Sequence, residues 1–331
     1  MRRFINRSII CIGMVLGLIL CAADVWTAPL PTELRVDYAD YNPLSLVIKK
    51  FGWLEEEFEA DHVRINWVFS PGSDEALKHL RTDTLDIASS ASLSSVWSKA
   101  SGNPIKAVYV FARPEWNAIL VSHNSPINSV KELKGKKIAV LPNSGPYFFL
   151  MRALQEAGMH KEDVKIVPMS HESGKAAMEL MKVDAWAGIC PYVSMSQMES
   201  GSRVIYRNIL FHSYGFLTIS DEFARKYPEA VLKVIKVYER ARKWSLKYPD
   251  DFEMTYAAGA GLNLPLARVV LSRYEFLRPV FSRNDLRVLK KESPFLKSEK
   301  LIPRDTDLDK VIDELIYPAF VMKQVGPDSG R

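Results

Sequence analysis

A buried strand that passes through a loop of small, polar residues straight into a helix recurs along the first two-thirds of the chain. It limits the fold more than any other feature. Leu34–Tyr38 alternates as a strand does, Ala39–Pro43 is a turn, and Leu44, Val47, Ile48 and Phe51 follow at helical spacing up to Gly52. Ile65–Phe69 ends at Ser70-Pro71-Gly72-Ser73, where Ser73 reads as an N-cap and Asp74 and Glu75 favour the first turn. Leu85–Ala88 leads through Ser89–Ser92 into a helix that runs past Val96 and Trp97 to Ala100. Pro104–Phe111 and Ala118–Val121 are further strands. The rhythm then repeats, with Lys137–Leu141, Val164–Pro168 and Val183–Gly188 as strands and Tyr147–Ala157 and Gly174–Met181 as helices. Such alternation builds open α/β sheets, whose ligands sit beyond the carboxyl ends of the strands.

At 331 residues the chain exceeds what one hydrophobic core comfortably serves, so two lobes are expected. Residues 30–118 form the first part of lobe 1 and residues 119–214 form lobe 2. Residues 215–331 return to lobe 1 through the strand Phe216–Ile219. From Asp221 onward the pattern is helical, with Val231, Leu232, Ile235 and Tyr238 on one apolar stripe, and this tail is expected to pack on lobe 1.

Residues 1–23 have a different character. Arg2, Arg3 and Arg7 precede an apolar run from Ser8 to Ala23, the form of a secretory signal, and the run is short for a membrane span. Cleavage is expected near Ala23-Asp24. Cys21 is a lesser candidate for lipid attachment, because Leu20 precedes it. Without the leader the three arginines are lost with no acid, and the formal net charge falls from +5 to +2. No basic face remains to recruit nucleic acid. Cys11 and Cys21 leave too, so Cys190 has no disulfide partner within the chain and reads as buried packing.

Motifs for nucleotide, serine-hydrolase and zinc-protease chemistry are absent, and the six histidines show no ligand spacing. No enzyme activity, metal or cofactor is expected. The candidates are the loops at the strand ends, namely Ser70, Gly72 and Ser73, then Ala91 and Ser92, then Asn143, Ser144, Gly145 and Tyr147. Each loop offers hydroxyls or backbone N–H groups at a helix N-terminus, where anions and polar groups are held. Asp40 and Tyr41 follow the first strand. Trp116 and Trp186 are candidate walls of a pocket, as are Tyr192 and Tyr214. Asp184 is a candidate partner for a cationic group, and Arg113 is the arginine nearest a loop mouth on the first sheet. His171-Glu172 reads as a solvated helix start.

The stretches SPINSVKELKGKKIAV, ALQEAGMHKEDVKIV and VDAWAGICPY between Ser125 and Tyr192 carry a family resemblance, supported by GWLEEEF, FSPGSDEAL and LDIASSASLSSVWSKASGNPIKAV earlier in the chain. The chain resembles periplasmic solute-binding proteins of ABC importers, in the group that takes aliphatic sulfonates, taurine and nitrate, with the thiamine-precursor binders as relatives. The resemblance implies a type II two-lobed periplasmic binding protein with a hinge of two crossing strands and a helical C-terminal segment packed on the first lobe. It implies a monomer that captures a sulfonate-like anion or zwitterion by hinge closure and delivers it to an inner-membrane permease with its ATPase. A nitrogen heterocycle as ligand, or a role as a periplasmic sensory input domain, are the alternatives. Ser70–Ser73, Ala91-Ser92, Asn143–Tyr147, Asp184 and Trp186 match the family's pocket segments.

Overall fold

The computed structural model describes residues 29–209, 211 and 214–326. The leader read over residues 1–23, with Cys11 and Cys21, lies outside the described residues. The strands are β1 (Glu33–Tyr38), β2 (Arg64–Phe69), β3 (Ile87–Ala91), β4 (Ile105–Pro114), β5 (Asn117–Val121), β6 (Lys137–Val140), β7 (Lys165–Pro168), β8 (Ala185–Ile189), β9 (Arg203–Tyr206), β10 (Gly215–Ser220) and β11 (Tyr274–Glu275). They divide into two sheets, ordered β11-β4-β10-β3-β1-β2 and β7-β6-β8-β5-β9.

In the first sheet β1 pairs parallel with β2 and β3, while β10 runs antiparallel between β3 and β4. In the second, β6 pairs parallel with β7 and β8, and β5 is antiparallel to β8 and β9. The chain crosses between the sheets twice, from β4 to β5 through Glu115-Trp116 and from β9 back to β10. Because β4 and β9 both leave their sheets at the carboxyl edge of the parallel strands, those two edges face each other. This is the two-lobed fold with a paired crossing, and the ends from which ligands are bound lie on opposite sides of one cleft.

Local chemistry sets several elements. Asn42 caps the helix Pro43–Phe51 by accepting from Ser45 N, Pro43 opens it, and Gly52 ends it in the left-handed region at φ 64°. The second strand–loop–helix unit departs from expectation. Gly72, not Ser73, is the N-cap of Ser73–Arg81, and the Ser73 hydroxyl instead accepts from Ala91 N at 2.9 Å. Ser89 and Ser90, read as loop, lie inside β3. A strand of serines is stable there because each hydroxyl is answered within the first lobe: Ser89 Oγ donates to Asp37 Oδ1 at 2.9 Å, and Ser90 Oγ lies 2.7 Å from Thr218 Oγ1.

The C-terminal helices pack on the first lobe, with Pro228–Lys247 and Pro249–Gly259 against the helix Pro43–Phe51 and Leu308–Leu315 against Ser92–Ala100. They also reach the second lobe. Arg152, on the helix Gly145–Glu156, pairs with Glu292 at 3.0 Å, and His160 meets Glu299 at 3.0 Å.

Candidate binding cleft

Four helices present their N-termini along the facing edges: Ser73–Arg81 and Ser92–Ala100 from the first lobe, Gly145–Glu156 and Tyr192–Ser200 from the second. None of their N-cap residues (Gly72, Ala91, Ser144, Pro191) makes a side-chain cap hydrogen bond. The first N–H of Ser92–Ala100 donates to Tyr214 O at 2.9 Å, so it is the later first-turn N–H groups that are not answered by a cap side chain, and the helix dipoles favour negative charge at these ends. The two lobes are in van der Waals contact at this point. A Cβ placed on Gly145 would lie 3.3 Å from the Ala91 Cβ and 3.6 Å from Asn117 Oδ1. A small cavity lined by Ala91, Ser92, Asn117, Gly145 and Arg152 marks the seam.

Around Gly72 the lobes meet again. A Cβ there would lie 2.7 Å from Asp74 Oδ1, 3.2 Å from Leu141 Cδ2 and 3.4 Å from His171 Nε2. Asp74 Oδ1, His171 Nδ1 and Asn117 Oδ1 are buried atoms with no hydrogen-bond partner among the described residues. His171 is only 4% exposed, and burial lowers its pKa to about 4, so it enters the cleft as a neutral imidazole. Its ring stacks on Tyr192 with centroids 6.3 Å apart. Burial raises the pKa of Asp74 as well.

Asp40 stands at the end of β1. Its backbone carbonyl accepts from Tyr256 Oη at 3.0 Å, but its carboxylate has no hydrogen bond or ion pair among the described residues, and burial pushes its pKa up to about 6. Tyr192, Tyr256 and Tyr274 are near enough for the Asp40 charge to raise their phenol pKa values, after the larger effect of burial. Asp37, three residues earlier in β1, is also pushed up to about 6 by burial, but it accepts from Ser89 N and Ser89 Oγ. The Ser70 hydroxyl, buried beside it, makes no hydrogen bond of good geometry among the described residues, while its N–H donates to Tyr38 O at 3.0 Å.

Of the residues proposed from sequence, the structure brings Asp40, Gly72, Ser73, Ala91, Ser92, Ser144 and Gly145 to the cleft edges, with Ser70 and Asn143 on the same loops. Tyr41 and Trp116 lie behind this layer as buried packing: their rings meet edge-on at 5.9 Å, and Tyr41 Oη donates to Ser89 O. Four candidates are placed otherwise. Asp184 precedes β8 at the amino edge of the second sheet, where its carboxylate accepts from Lys137 N at 2.7 Å and its N–H donates to Lys137 O. It joins two parallel strands at the end away from the cleft. Trp186 is fully buried under the helix His171–Glu179, with its indole filling the space over Gly174 and Gly188. Tyr147 packs against Phe148 and faces Glu299 and Glu162 on the outer flank of its helix. Arg113 is bound to the C-terminal segment, donating to Asp285 Oδ2 at 2.8 Å and to Val280 O.

His171, Asp74 and Asn117 were missed as site residues, and His171 is buried, not solvated as its loop position implied. Their one sequence sign was position immediately beyond a strand end or at a crossing. Cys190 is buried, as its apolar surroundings indicated, with Sγ 3.5 Å from Ser194 Oγ and from Arg273 Nη1.

The family profile described as "NMT1/THI5 like" matches residues 56–252. The chain is 28% identical over 284 residues to a Bacillus subtilis (strain 168) protein named as an aliphatic sulfonates-binding protein, covering 85% of this chain and 86% of that one. It is 26% identical over 283 residues to the protein of the same description from Escherichia coli (strain K12), covering 84% and 88%. The alkanesulfonate-binding protein SsuA of Xanthomonas axonopodis pv. citri, solved bound to MOPS, has the same fold, with a TM-score of 0.75 at 21% identity over 88% of this chain and all of that one.

Proposed function

This chain belongs to the NMT1/THI5-like family, and from that premise we propose that it is the solute-binding component of an ABC importer, with a sulfonate-bearing solute as ligand. The observation that carries the reading is the meeting of uncapped helix N-termini from opposite lobes at Ala91 and Gly145. A small anion placed between them accepts N–H groups from both lobes at once, contacts that exist only when the lobes are together. That difference is what drives closure, since a ligand shifts an equilibrium only by its differential affinity for the two states. The names of its sequence relatives support the sulfonate. In this reading the leader exports the chain to the periplasm, where a monomer delivers its solute to a membrane permease and ATPase.

The test is a thermal-shift panel on the purified mature chain with alkanesulfonates, nitrate and heterocyclic amines. Ligand at a hundredfold excess over Kd adds about 2.7 kcal/mol to stability, so a saturable rise for the sulfonates is expected. A rise confined to the heterocyclic amines, with none for any anion, overturns the reading.

A further inference from the structure

The lobes also meet away from the helix N-termini, at a contact that needs no ligand. Phe148 is fully buried although it belongs to the lobe 2 helix Gly145–Glu156. Beyond its own helix, its ring meets Trp97 of lobe 1, with centroids 6.2 Å apart, and Phe295 of the C-terminal segment at 6.3 Å. Trp97 is itself tied to that segment, its Nε1 donating to Leu301 O at 3.2 Å. Arg152, four residues after Phe148 and so on the same helix face, pairs with Glu292 at 3.0 Å, and only 14% and 7% of the two side chains are exposed. Past the helix end, Lys161 Nζ donates to Glu299 O at 2.9 Å and His160 meets the Glu299 carboxylate. Residues 292–301 thus run along one flank of the second lobe. Opening the lobes would return the Phe148 ring to water and draw Arg152 away from a nearly buried Glu292. Lost aromatic burial and the parting of a desolvated ion pair both oppose that, while the exposed His160 contact adds little.

We infer that residues 292–301 are a latch on the second lobe: with Phe148 and Arg152 seated against them, the lobes stand closed before any solute arrives. This rests on the reading of the chain as a two-lobed binding protein that closes, and on no particular solute. Arg152 also lines the small cavity at the seam of Ala91 and Gly145, so the latch reaches the anion end of the cleft. The apparent affinity of a ligand scales with the fraction of protein already in the competent state. The latch therefore sets affinity from outside the cleft, and solute enters during brief openings.

The test is the distance between the lobes, read by pulsed electron paramagnetic resonance on the mature chain. Spin labels are placed at Arg81→Cys in lobe 1 and Lys165→Cys in lobe 2, both exposed positions, while Cys190 is buried. Without ligand, the protein with an intact latch is expected to show one narrow distance that ethanesulfonate leaves unchanged. Phe148→Ala is expected to add a second distance in the absence of ligand. Glu292→Gln, which changes no volume, is expected to do the same and serves if Phe148→Ala does not fold, as melting curves decide. Either variant should bind ethanesulfonate about 10-fold more weakly by calorimetric titration, the drop for a closed fraction falling from nearly all to about a tenth. A second distance already present with the latch intact and removed by ligand, or one narrow distance in both variants, overturns the latch. The distances need no ligand, so the expected distances with no binding of ethanesulfonate support the latch and count against the sulfonate alone.

Discussion

Replacing Asp40 by Asn is expected to stabilise the ligand-free protein. The carboxylate is held near pH 6 against an ordinary 3.8, with burial as the cause. Each pKa unit corresponds to about 1.4 kcal/mol between the two protonation states, so the ionised form destabilises the fold by up to about 3 kcal/mol. The sign follows from the raised folded value. The folded state holds its proton more tightly than the unfolded chain, so the contribution is most favourable below pH 3.8 and is lost as pH rises through 6. Asn carries no charge at any pH. The variant should therefore exceed the wild type by up to about 3 kcal/mol at pH 7.5, with the gap closing toward zero below pH 4. Urea unfolding of both proteins across that range, without ligand, measures the gap directly. A gap that does not change with pH, or a variant less stable at pH 7.5, would show that Asp40 is not an uncompensated carboxylate. A residue that costs stability in the empty protein and repays it only on binding is the usual mark of a functional site.

Two further outcomes follow from the geometry. Gly145→Val puts branched carbons where a single added Cβ would already lie 3.3 Å from the Ala91 Cβ, so the lobes cannot close and ligand affinity should drop at least about 10-fold with the fold intact; an enlarged radius of gyration by small-angle scattering would accompany the loss, and unchanged affinity would refute it. Asp184→Ala removes the acceptor for Lys137 N and should cost about 1 kcal/mol of stability while leaving ligand affinity unchanged; a loss of affinity without destabilisation would return Asp184 to the site.

Local chemistry made most of the strand and helix order legible. The strand–loop–helix units rest on period-two and helical spacing, on Gly52 in the left-handed region, and on caps such as Asn42. The differences fall on short or atypical strands: β9, a half-buried four-residue edge strand, was not read, and β3 continues past Ala88 through Ser89 and Ser90, whose partners, Asp37 and Thr218, are distant in sequence. The cleft loops were also legible, because a loop between a strand end and a helix start has one position in an α/β sheet.

What only the tertiary structure decided is which polar groups in and around those loops are left without partners. Asp184 and Asp40 both flank a buried strand and look alike in sequence, yet one precedes its strand and its carboxylate is satisfied by Lys137 N, while the other follows its strand and its carboxylate has no hydrogen bond among the described residues. His171 is a neutral, buried group at a point where Gly72 of the first lobe comes close to its ring, and burial lowers its pKa. Hydrogen-bond patterns within a strand or helix are local and can be read along the chain. Desolvation depends on what approaches from elsewhere, and here the approach is made by a second lobe.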